Sequence, residues 1–531
     1  MKRTFLAALG ASLCIAAPAA AQRTGAQQAG GVGPVIDTII VTTWDVYDPA
    51  EAEGSAIYRV ANAVRIHTRP YIVRRELLFQ QGEPYDSAQV AESARNLRAL
   101  GVFRWVGIDT LRVDGRFAVH VHTADGWSTQ LVLNGRVTAG RFTWAVGLTE
   151  TNFLGTANRV SAIYYQEVDR TAWRFAGRFN RLFGTQLQAT GGFEDLSDGT
   201  RGEWRFGLPF RALQDRHAFE IYGEAADQRI LQYRVPRAVV TDTTRFQRRA
   251  LILGAEGAVA PIASTAGYLR LGLRGRVRRE EFIGVADTGT VVPDSVTGAV
   301  GVFGELLRAR FKVVTHFNGF GHQEDLDLST RIRLALWAAP AEFGYERSGV
   351  GPAVRIATGA SFPSGYMTLQ GVANGLFTSA GLDSGQVRAE LTVGAQLIRH
   401  HATFFHVQGG IAEMLTPGQE YDLGHGVGPR IFGAHAFVGD RSLWGTLEHR
   451  WFAWDELLGN LGIGFAAFVD YGGAWYEDQP ARIGGNVGLG LRFGFSRASG
   501  ANVGGVDVGY RFGDGWDGNR WAVSVARGFL F

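Results

Sequence analysis

Residues that could do covalent or metal chemistry form no recognisable catalytic group in this sequence of 531 residues. The hydrolase pattern G-x-S-x-G, the zinc pattern H-E-x-x-H and the phosphate-binding pattern G-x-x-x-x-G-K-[ST] are all absent from it. His400, His401 and His406 lie close together, but neighbouring positions on a strand face opposite sides. These histidines therefore predict a rim or turn rather than a metal site. We expect no enzymatic activity, no cofactor and no bound metal.

Two charged residues lie in less usual surroundings. Arg430 occurs in a glycine-rich stretch with apolar neighbours, and Asp470 lies in the middle of the strand-like run Phe468–Gly472. If Val469 and Tyr471 face lipid, the period of two along a strand points Asp470 into a lumen, where its carboxylate needs a partner or water. The spacing alone leaves two interpretations open: a buried pair, or a hydrated lumen with the arginine on a solvated loop.

The segment Met1–Ala21 has the features of a secretory signal peptide. Lys2 and Arg3 are followed by an apolar stretch and by alanines before the expected cleavage site. Residues 22–34 are rich in glycine, glutamine and alanine and predict a flexible leader. Cleavage would remove Cys14, the only cysteine, so no disulfide is expected. It would also take the formal charge from +3 to +1, and a near-neutral exported chain is not expected to bind nucleic acid.

Residues 35–125 predict a small α+β domain. Pro70 fits the first turn of a helix, and Asp86, with a glutamine three residues later, is typical of the start of a second. Asp114–Gly115 predicts a tight hairpin, so the expected order of elements is β-α-α-β-β. The polar segment 45–68 is expected to be irregular. An edge strand of such a sheet could bind a guest strand by backbone pairing.

Residues 128–531 predict an all-β transmembrane barrel. Alternation of apolar and polar residues is clearest in Val487–Phe495 and Val506–Phe512, which are close to the roughly 9–11 residues of a bilayer-crossing strand. A soluble multi-domain β protein would also alternate. However, a long series of such strands without domain breaks fits a closed barrel better, because closure removes sheet edges. Earlier candidate strands include Gly304–Val314 and Asp325–Trp337, and the total is slightly above sixteen.

Several motifs are similar to those of one superfamily, which contains the outer-membrane assembly factors BamA and TamA and the two-partner-secretion transporters. Arg74–Tyr85 and Glu92–Gly101 resemble parts of a single POTRA domain, and Thr149–Gly155 resembles the opening turn of the family's barrel. Pro429–Phe432 resembles the family's loop motif V/L-R-G-Y/F, with Ile431 in place of the glycine.

A strand motif and the end of the chain extend the resemblance. Phe468, Asp470 and Gly472 match the family's F-x-D-x-G in full, and Phe529 and Phe531 resemble its C-terminal insertion signal. In the family, the strand aspartate pairs inside the barrel with the arginine of the loop motif. The resemblance therefore implies a structural loop lock, formed by Arg430, Phe432, Phe468, Asp470 and Gly472.

The resemblance also implies a fold and a function. The fold is one POTRA domain in the periplasm, followed by a barrel of about sixteen antiparallel strands in the outer membrane. The function is assistance in the insertion or translocation of other outer-membrane or secreted proteins, whose strands are captured at the POTRA edge and the barrel seam. The implied partners are outer-membrane lipids, client proteins and periplasmic or lipoprotein accessory proteins. The alternative is a passive pore or surface antigen whose POTRA domain serves only its own assembly.

Overall fold

The computed structural model describes residues 33–138, 141–233, 243–284, 295–413, 418–425, 427–498, 503–516 and 518–527. The predicted signal peptide and nearly all of the predicted leader lie outside the described residues. Phe529 and Phe531, the predicted insertion signal, also lie outside them.

A small α+β unit comes first in the described chain. Its elements are β1 (Thr38–Trp44), α1 (Pro49–Glu53), α2 (Ala56–Val64), α3 (Pro70–Glu76), α4 (Ser87–Ala99), β2 (Phe103–Val113) and β3 (Arg116–Asp125). The strands form a sheet in the order β1-β3-β2, with β1 parallel and β2 antiparallel to β3. Side chains of α3 and α4 pack on the sheet, where Val73, Leu97 and Val121 are buried. β1 and β2 are therefore the two edges of this sheet.

The two predicted helices are present, but two further helices precede them. The Asp86 side chain accepts a hydrogen bond from the second residue of α4, as an N-cap does. The expectation that residues 45–68 are irregular is wrong, because α1 and α2 lie there. Local capping explains both of these helices. At the start of α1, the Glu51 carboxylate accepts a hydrogen bond from the backbone N–H of Asp48, and at the start of α2, Ser55 is the N-cap.

The rest of the described chain is almost entirely β-structure. The strands are β4 (Thr129–Thr138), β5 (Arg141–Phe153), β6 (Asn158–Gln166), β7 (Thr171–Phe179), β8 (Gln188–Leu196), β9 (Gly199–Leu208), β10 (His217–Tyr233), β11 (Thr243–Ser264), β12 (Gly267–Gly284), β13 (Ser295–Arg308), β14 (Phe311–Val314), β15 (Glu324–Asp327), β16 (Thr330–Ala339), β17 (Gly349–Phe362), β18 (Gly365–Thr378), β19 (Gly381–Ala395), β20 (His401–Glu413), β21 (Tyr421–Leu423), β22 (Phe437–Gly439), β23 (Arg441–Leu457), β24 (Leu461–Trp475), β25 (Gly484–Phe495), β26 (Val503–Gly513) and β27 (Trp521–Arg527). β14 pairs with β15 and β21 with β22, and the other strands form one closed barrel in which β27 neighbours β4. The prediction of a large barrel is therefore confirmed.

The expected strand number is wrong, because twenty strands close the barrel instead of about sixteen. β4 and β17 lie where no strand is predicted from the sequence. β17 contains Pro352, which lacks a backbone N–H and normally argues against a strand interior. The register between β17 and β18 skips Gly351 and Pro352, so the proline lies where the ladder is interrupted. Gly304–Val314 and Asp325–Trp337 each combine part of a barrel strand with one strand of the hairpin β14-β15.

The barrel wall has an apolar exterior and an interior with buried polar groups. Along β24, Phe465, Val469 and Tyr471 are exposed, whereas the alternate residues Phe468 and Asp470 are buried on the inner face. Exposed leucine, valine, phenylalanine and tryptophan side chains recur on the other barrel strands. A bilayer-spanning barrel presents such a surface to lipid.

None of the helices in the described ranges is long and apolar enough to cross a membrane.

Two segments fold into the lumen from opposite ends of the barrel. The luminal loop, residues 418–425 and 427–440, lies between β20 and β23 at the end far from the α+β unit and buries Phe432. The domain-side insert, residues 309–329, connects β13 to β16 at the end near that unit and buries Phe317. An ion pair at 2.6 Å joins this insert to α4. The barrel interior is thus occupied from both sides.

Candidate functional site

Arg430 projects from the luminal loop onto the inner face of the barrel wall. Its guanidinium donates to the two carboxylate oxygens of Asp470, at 2.8 Å and 2.9 Å, and also to Glu448. It donates to the hydroxyl of Thr446 at 3.0 Å, and its backbone N–H donates to Asp470 at 3.1 Å. Arg430 is only 4% exposed, and Asp470 and Glu448 are fully buried. Several charge-assisted hydrogen bonds therefore fix the guanidinium in one position.

The strand register places the partners of Arg430 side by side. Thr446 on β23 is opposite Asp470 on β24, and Asp470 is opposite Asn486 on β25. Directly opposed residues of neighbouring strands share one face of a sheet. The side-chain amide of Asn486 donates to Asp470 at 2.8 Å. The aspartate therefore also has a partner that does not belong to the loop.

Each residue of the motif F-x-D-x-G has a distinct physical role here. The guanidinium carbon of Arg430 lies 4.0 Å from the ring centroid of Phe468, within the range of a cation–π interaction. Gly472 has φ +145°, and a side chain at this position would clash with the carbonyl oxygen of Leu443. Glycine is needed there because other residues rarely adopt this backbone conformation. Phe468, Asp470 and Gly472 thus provide an aromatic face, a charge and a close backbone approach.

The apolar residues of the luminal loop fill space beside the ion pair. Phe432 is fully buried and packs against Phe437, with ring centroids 5.1 Å apart. Both rings approach Gly484 so closely that an added Cβ would lie 2.8 Å and 2.7 Å from their carbon atoms. Ile431 is fully buried against Gly509 and is not among the residues with positive φ. The loop therefore needs no glycine at this position.

Six buried charged side chains form a continuous network around Arg430. They are Arg430, Arg450, Arg492, Asp470, Glu448 and Asp507. Glu448 lies at the centre, 2.6 Å from Arg450 and 3.8 Å from Arg492. Equal numbers of positive and negative groups offset the cost of removing them from water. Arg450 also donates to the backbone carbonyl of Phe317 at 2.6 Å, so the network contacts both segments inside the lumen.

His435 attaches the luminal loop to the turn between β6 and β7. Its Nε2 lies 2.8 Å from Asp169 in that turn, and its Nδ1 lies 2.6 Å from Asp422 of the loop itself. Burial disfavours the charged ring, but hydrogen bonds to Asp169 and Asp422 outweigh burial and raise the pKa of His435 to about 9. The imidazole is therefore protonated at neutral pH, and both of its nitrogens donate. This contact anchors the loop to the early strands of the barrel.

The α+β unit is docked against the near end of the barrel. Near the end of β5, the side-chain amide of Asn152 donates to the hydroxyl of Thr68 at 2.9 Å. Glu76 at the end of α3 forms ion pairs with Arg181 at 2.8 Å and Arg211 at 3.2 Å, both in turns of the barrel. These contacts and the ion pair between α4 and the domain-side insert place the unit beside the barrel entrance.

The structure brings together the predicted loop and strand residues. Arg430, Phe432, Phe468, Asp470 and Gly472 lie in one region, which we call the luminal lock. Glu448 and Arg450 were not predicted as site residues, although both share the inner face of β23 with Thr446. The period of two along this strand was a signal that could have indicated them.

The three clustered histidines point in different directions. His401 is on the outer part of the wall, 3.0 Å from His449, whereas His406 is buried inside. His400 lies in the turn between β19 and β20. Among the described residues, His400 does belong to a group that could hold a metal ion, together with His316 and Asp455.

The fold and the lock together define a closed twenty-stranded barrel with an occupied lumen and a small α+β unit at one entrance. No protein-family model matches the sequence, and no curated protein matches it either. Among solved structures, the chain is similar to BamA from Haemophilus ducreyi lacking POTRA domains 1-3, with 12% identity, a TM-score of 0.37, and coverage of 92% of this chain and 84% of that one. It is also similar to CdiB from Escherichia coli, with 11% identity, a TM-score of 0.46, and coverage of 96% of this chain and 92% of that one. CdiB from Acinetobacter baumannii is similar with 8% identity, a TM-score of 0.41, and coverage of 94% of this chain and 74% of that one.

Proposed function

We propose that this chain is an outer-membrane barrel that assists the insertion or translocation of other outer-membrane or secreted proteins. The α+β unit acts in the periplasm as a single POTRA-like domain, and the barrel contacts outer-membrane lipids. Periplasmic or lipoprotein accessory proteins are further expected partners. The role is mechanical rather than enzymatic: the protein binds client strands and releases them into the membrane or across it.

The luminal loop, held by Arg430 against Asp470 and Glu448, is the observation that carries this proposal. A passive diffusion pore needs an open, hydrated lumen, whereas two inserted segments meet around buried charges here. A charge-paired segment can be released as a unit when its partners are displaced. This arrangement favours a barrel that opens during a working cycle, as the resemblance to assembly factors implies.

Client strands have two places to pair. The first is the α+β sheet, whose edges β1 and β2 leave one side of each strand without a neighbour in the described sheet. Thr110 of β2 is exposed, so this edge is accessible to a guest strand. The second is the seam between β4 and β27, where the first and last barrel strands meet. Separation of this seam would give a client strand the backbone pairing that the membrane requires.

Depletion of the protein, followed by a census of outer-membrane proteins, tests the function. Wild type should restore a broad set of clients, and Arg430→Ala should not, although its barrel still inserts. Arg205→Ala is the matched control, because the partners of Arg205 among the described residues are Glu220 and Tyr222 on the barrel wall, away from the lock. A photo-crosslinker at Thr110 should trap client strands in cells.

Loss of this protein alone after depletion would contradict the proposal and favour the passive pore or surface antigen. Full rescue by Arg430→Ala would show that the lock has no part in the function.

A further inference from the structure

The domain-side insert is fastened to the barrel near three side chains that the luminal lock does not use. His316 lies in the insert, His400 in the turn between β19 and β20, and Asp455 near the end of β23. Their nitrogen and oxygen atoms all lie within 4.8 Å of one another. All three residues are partly buried, so a solvated ion could still reach them. The group therefore joins three separate parts of the chain at one point.

The geometry of these side chains is close to that of a metal site. Nε2 of His316 lies 2.9 Å from each oxygen of Asp455, and Nδ1 of His400 lies 3.8 Å from one of the same oxygens. The distance of 3.8 Å is too long for a hydrogen bond. His400 therefore approaches the carboxylate without bonding to it, as a ligand does around a shared ion. The other nitrogen of His316 is 3.3 Å from the hydroxyl of Thr315, which can orient the ring as the outer partners of metal-binding histidines do.

The backbone around the group has an unusual conformation and is held in place by hydrogen bonds. His316 and His400 both have φ near +60°, a conformation that is uncommon for residues other than glycine. One carboxylate oxygen of Glu324 accepts hydrogen bonds from the backbone N–H groups of Phe317, Asn318 and Gly319, at 3.1, 2.8 and 3.1 Å. The segment that carries His316 is therefore held rigidly, so its imidazole needs little ordering to bind an ion.

We propose that His316, His400 and Asp455 form a binding site for a divalent transition metal, with Zn²⁺ as the expected occupant. Two imidazoles and one carboxylate are a ligand set that zinc accepts, with a fourth position left for water. The bound ion fastens the domain-side insert to the barrel wall. Because the same insert is paired with α4 of the α+β unit, metal binding also strengthens the hold on that unit.

A simple ion pair between His316 and Asp455 is the competing explanation, and His400→Gln separates the two. This variant removes one metal ligand and leaves the ion pair intact. His401→Gln is the matched control: it changes the residue adjacent to His400 and removes the exposed His401–His449 pair, which is a second source of imidazole ligands. The heat-dependent mobility shift of the purified barrel checks that each variant is folded.

The full-length protein, stripped with a chelator in detergent, is titrated with Zn²⁺ by calorimetry and with Co²⁺ by visible absorption. Wild type and His401→Gln should bind one tight ion per chain. His316→Gln and His400→Gln should weaken binding by about 100-fold or more, since loss of an outer partner alone costs about 10- to 100-fold. Mg²⁺ should not compete, because it prefers oxygen ligands.

Zinc should also slow proteolysis of the domain-side insert in wild type and in His401→Gln, but not in His400→Gln. Equal zinc affinity in wild type and His400→Gln, or the absence of saturable binding in wild type, would overturn the proposal and leave only the ion pair.

Discussion

Replacing Arg430 with alanine should release the luminal loop without unfolding the barrel. Arg430 donates five hydrogen bonds, four of them to buried carboxylates and one to Thr446, and none of them belongs to a strand ladder. The backbone N–H bond can persist in alanine, but the guanidinium bonds cannot. Removing one partner of a buried ion pair costs about 3–5 kcal/mol, because the remaining charge is uncompensated. This corresponds to a shift of roughly 100- to 4,000-fold in the equilibrium between docked and released loop.

The accessibility of a thiol in the loop measures this shift. Ala436 is buried in the loop beside Phe437, and the only native cysteine, Cys14, lies in the predicted signal peptide. In an Ala436→Cys background, reaction with a water-soluble maleimide reports the population of released loop. Arg430→Ala should accelerate labelling by at least about 100-fold if the loop opens and closes faster than it reacts.

Two further variants make the result specific. Arg430→Lys should be intermediate, because lysine keeps the charge but cannot form the two parallel bonds to Asp470. Arg205→Ala should label as slowly as the parent variant. Equal labelling of Arg430→Ala and the parent would refute the reasoning, and loss of the folded barrel would show that Arg430 stabilises the wall itself.

Three other outcomes are expected. Gly472→Ala should destabilise the barrel by about 1–3 kcal/mol through steric strain, seen as a lower temperature of the mobility shift, whereas Gly202→Ala, whose added Cβ meets only ordinary contacts, should not. The pKa of His435 is raised from 6.5 to about 9, so its contribution to loop docking is fully present below pH 6.5 and is lost as the pH rises through about 9. Labelling of the loop thiol, corrected for maleimide reactivity, should rise over that range in wild type and not in His435→Gln. Glu76→Gln should loosen the contact between the α+β unit and the barrel, because Arg181 and Arg211 lose their carboxylate partner. A protease should then cut the linker after β3 faster, and an unchanged cleavage rate would contradict this.

Strand alternation was sufficient to predict the barrel and the inward direction of Asp470. It works because a bilayer and a lumen impose opposite polarity on the two faces of every strand. The number of strands was harder to predict, because β17 combines small residues with Pro352. The proline is tolerated there only because the pairing of β17 with β18 is interrupted at this residue. The short helices α1 and α2 depend on local caps within a polar segment, where the apolar signal is weak.

The pairing of Arg430 with Asp470 inside the barrel was implied by motif resemblance, but the domain-side insert and its contacts could not be predicted from local patterns. His316, His400 and Asp455 are far apart in sequence and meet only because two turns and one strand end are adjacent in the closed barrel. Glu448 could be predicted only in part. Its inward direction follows from strand alternation, but its central place between three arginines depends on the register of β23, β24 and β25.

The close packing of Phe432 and Phe437 on Gly484 has an evolutionary consequence. With an added Cβ at 2.8 Å and 2.7 Å from the two rings, a larger residue at position 484 is incompatible with both aromatic side chains in their present places. An added Cβ would also lie 2.5 Å from the backbone carbonyl oxygen of Asp514, so shortening one ring would not make room for alanine or serine. Position 484 should therefore stay glycine in homologues that keep aromatic side chains at positions 432 and 437, even though these positions lie on different parts of the chain.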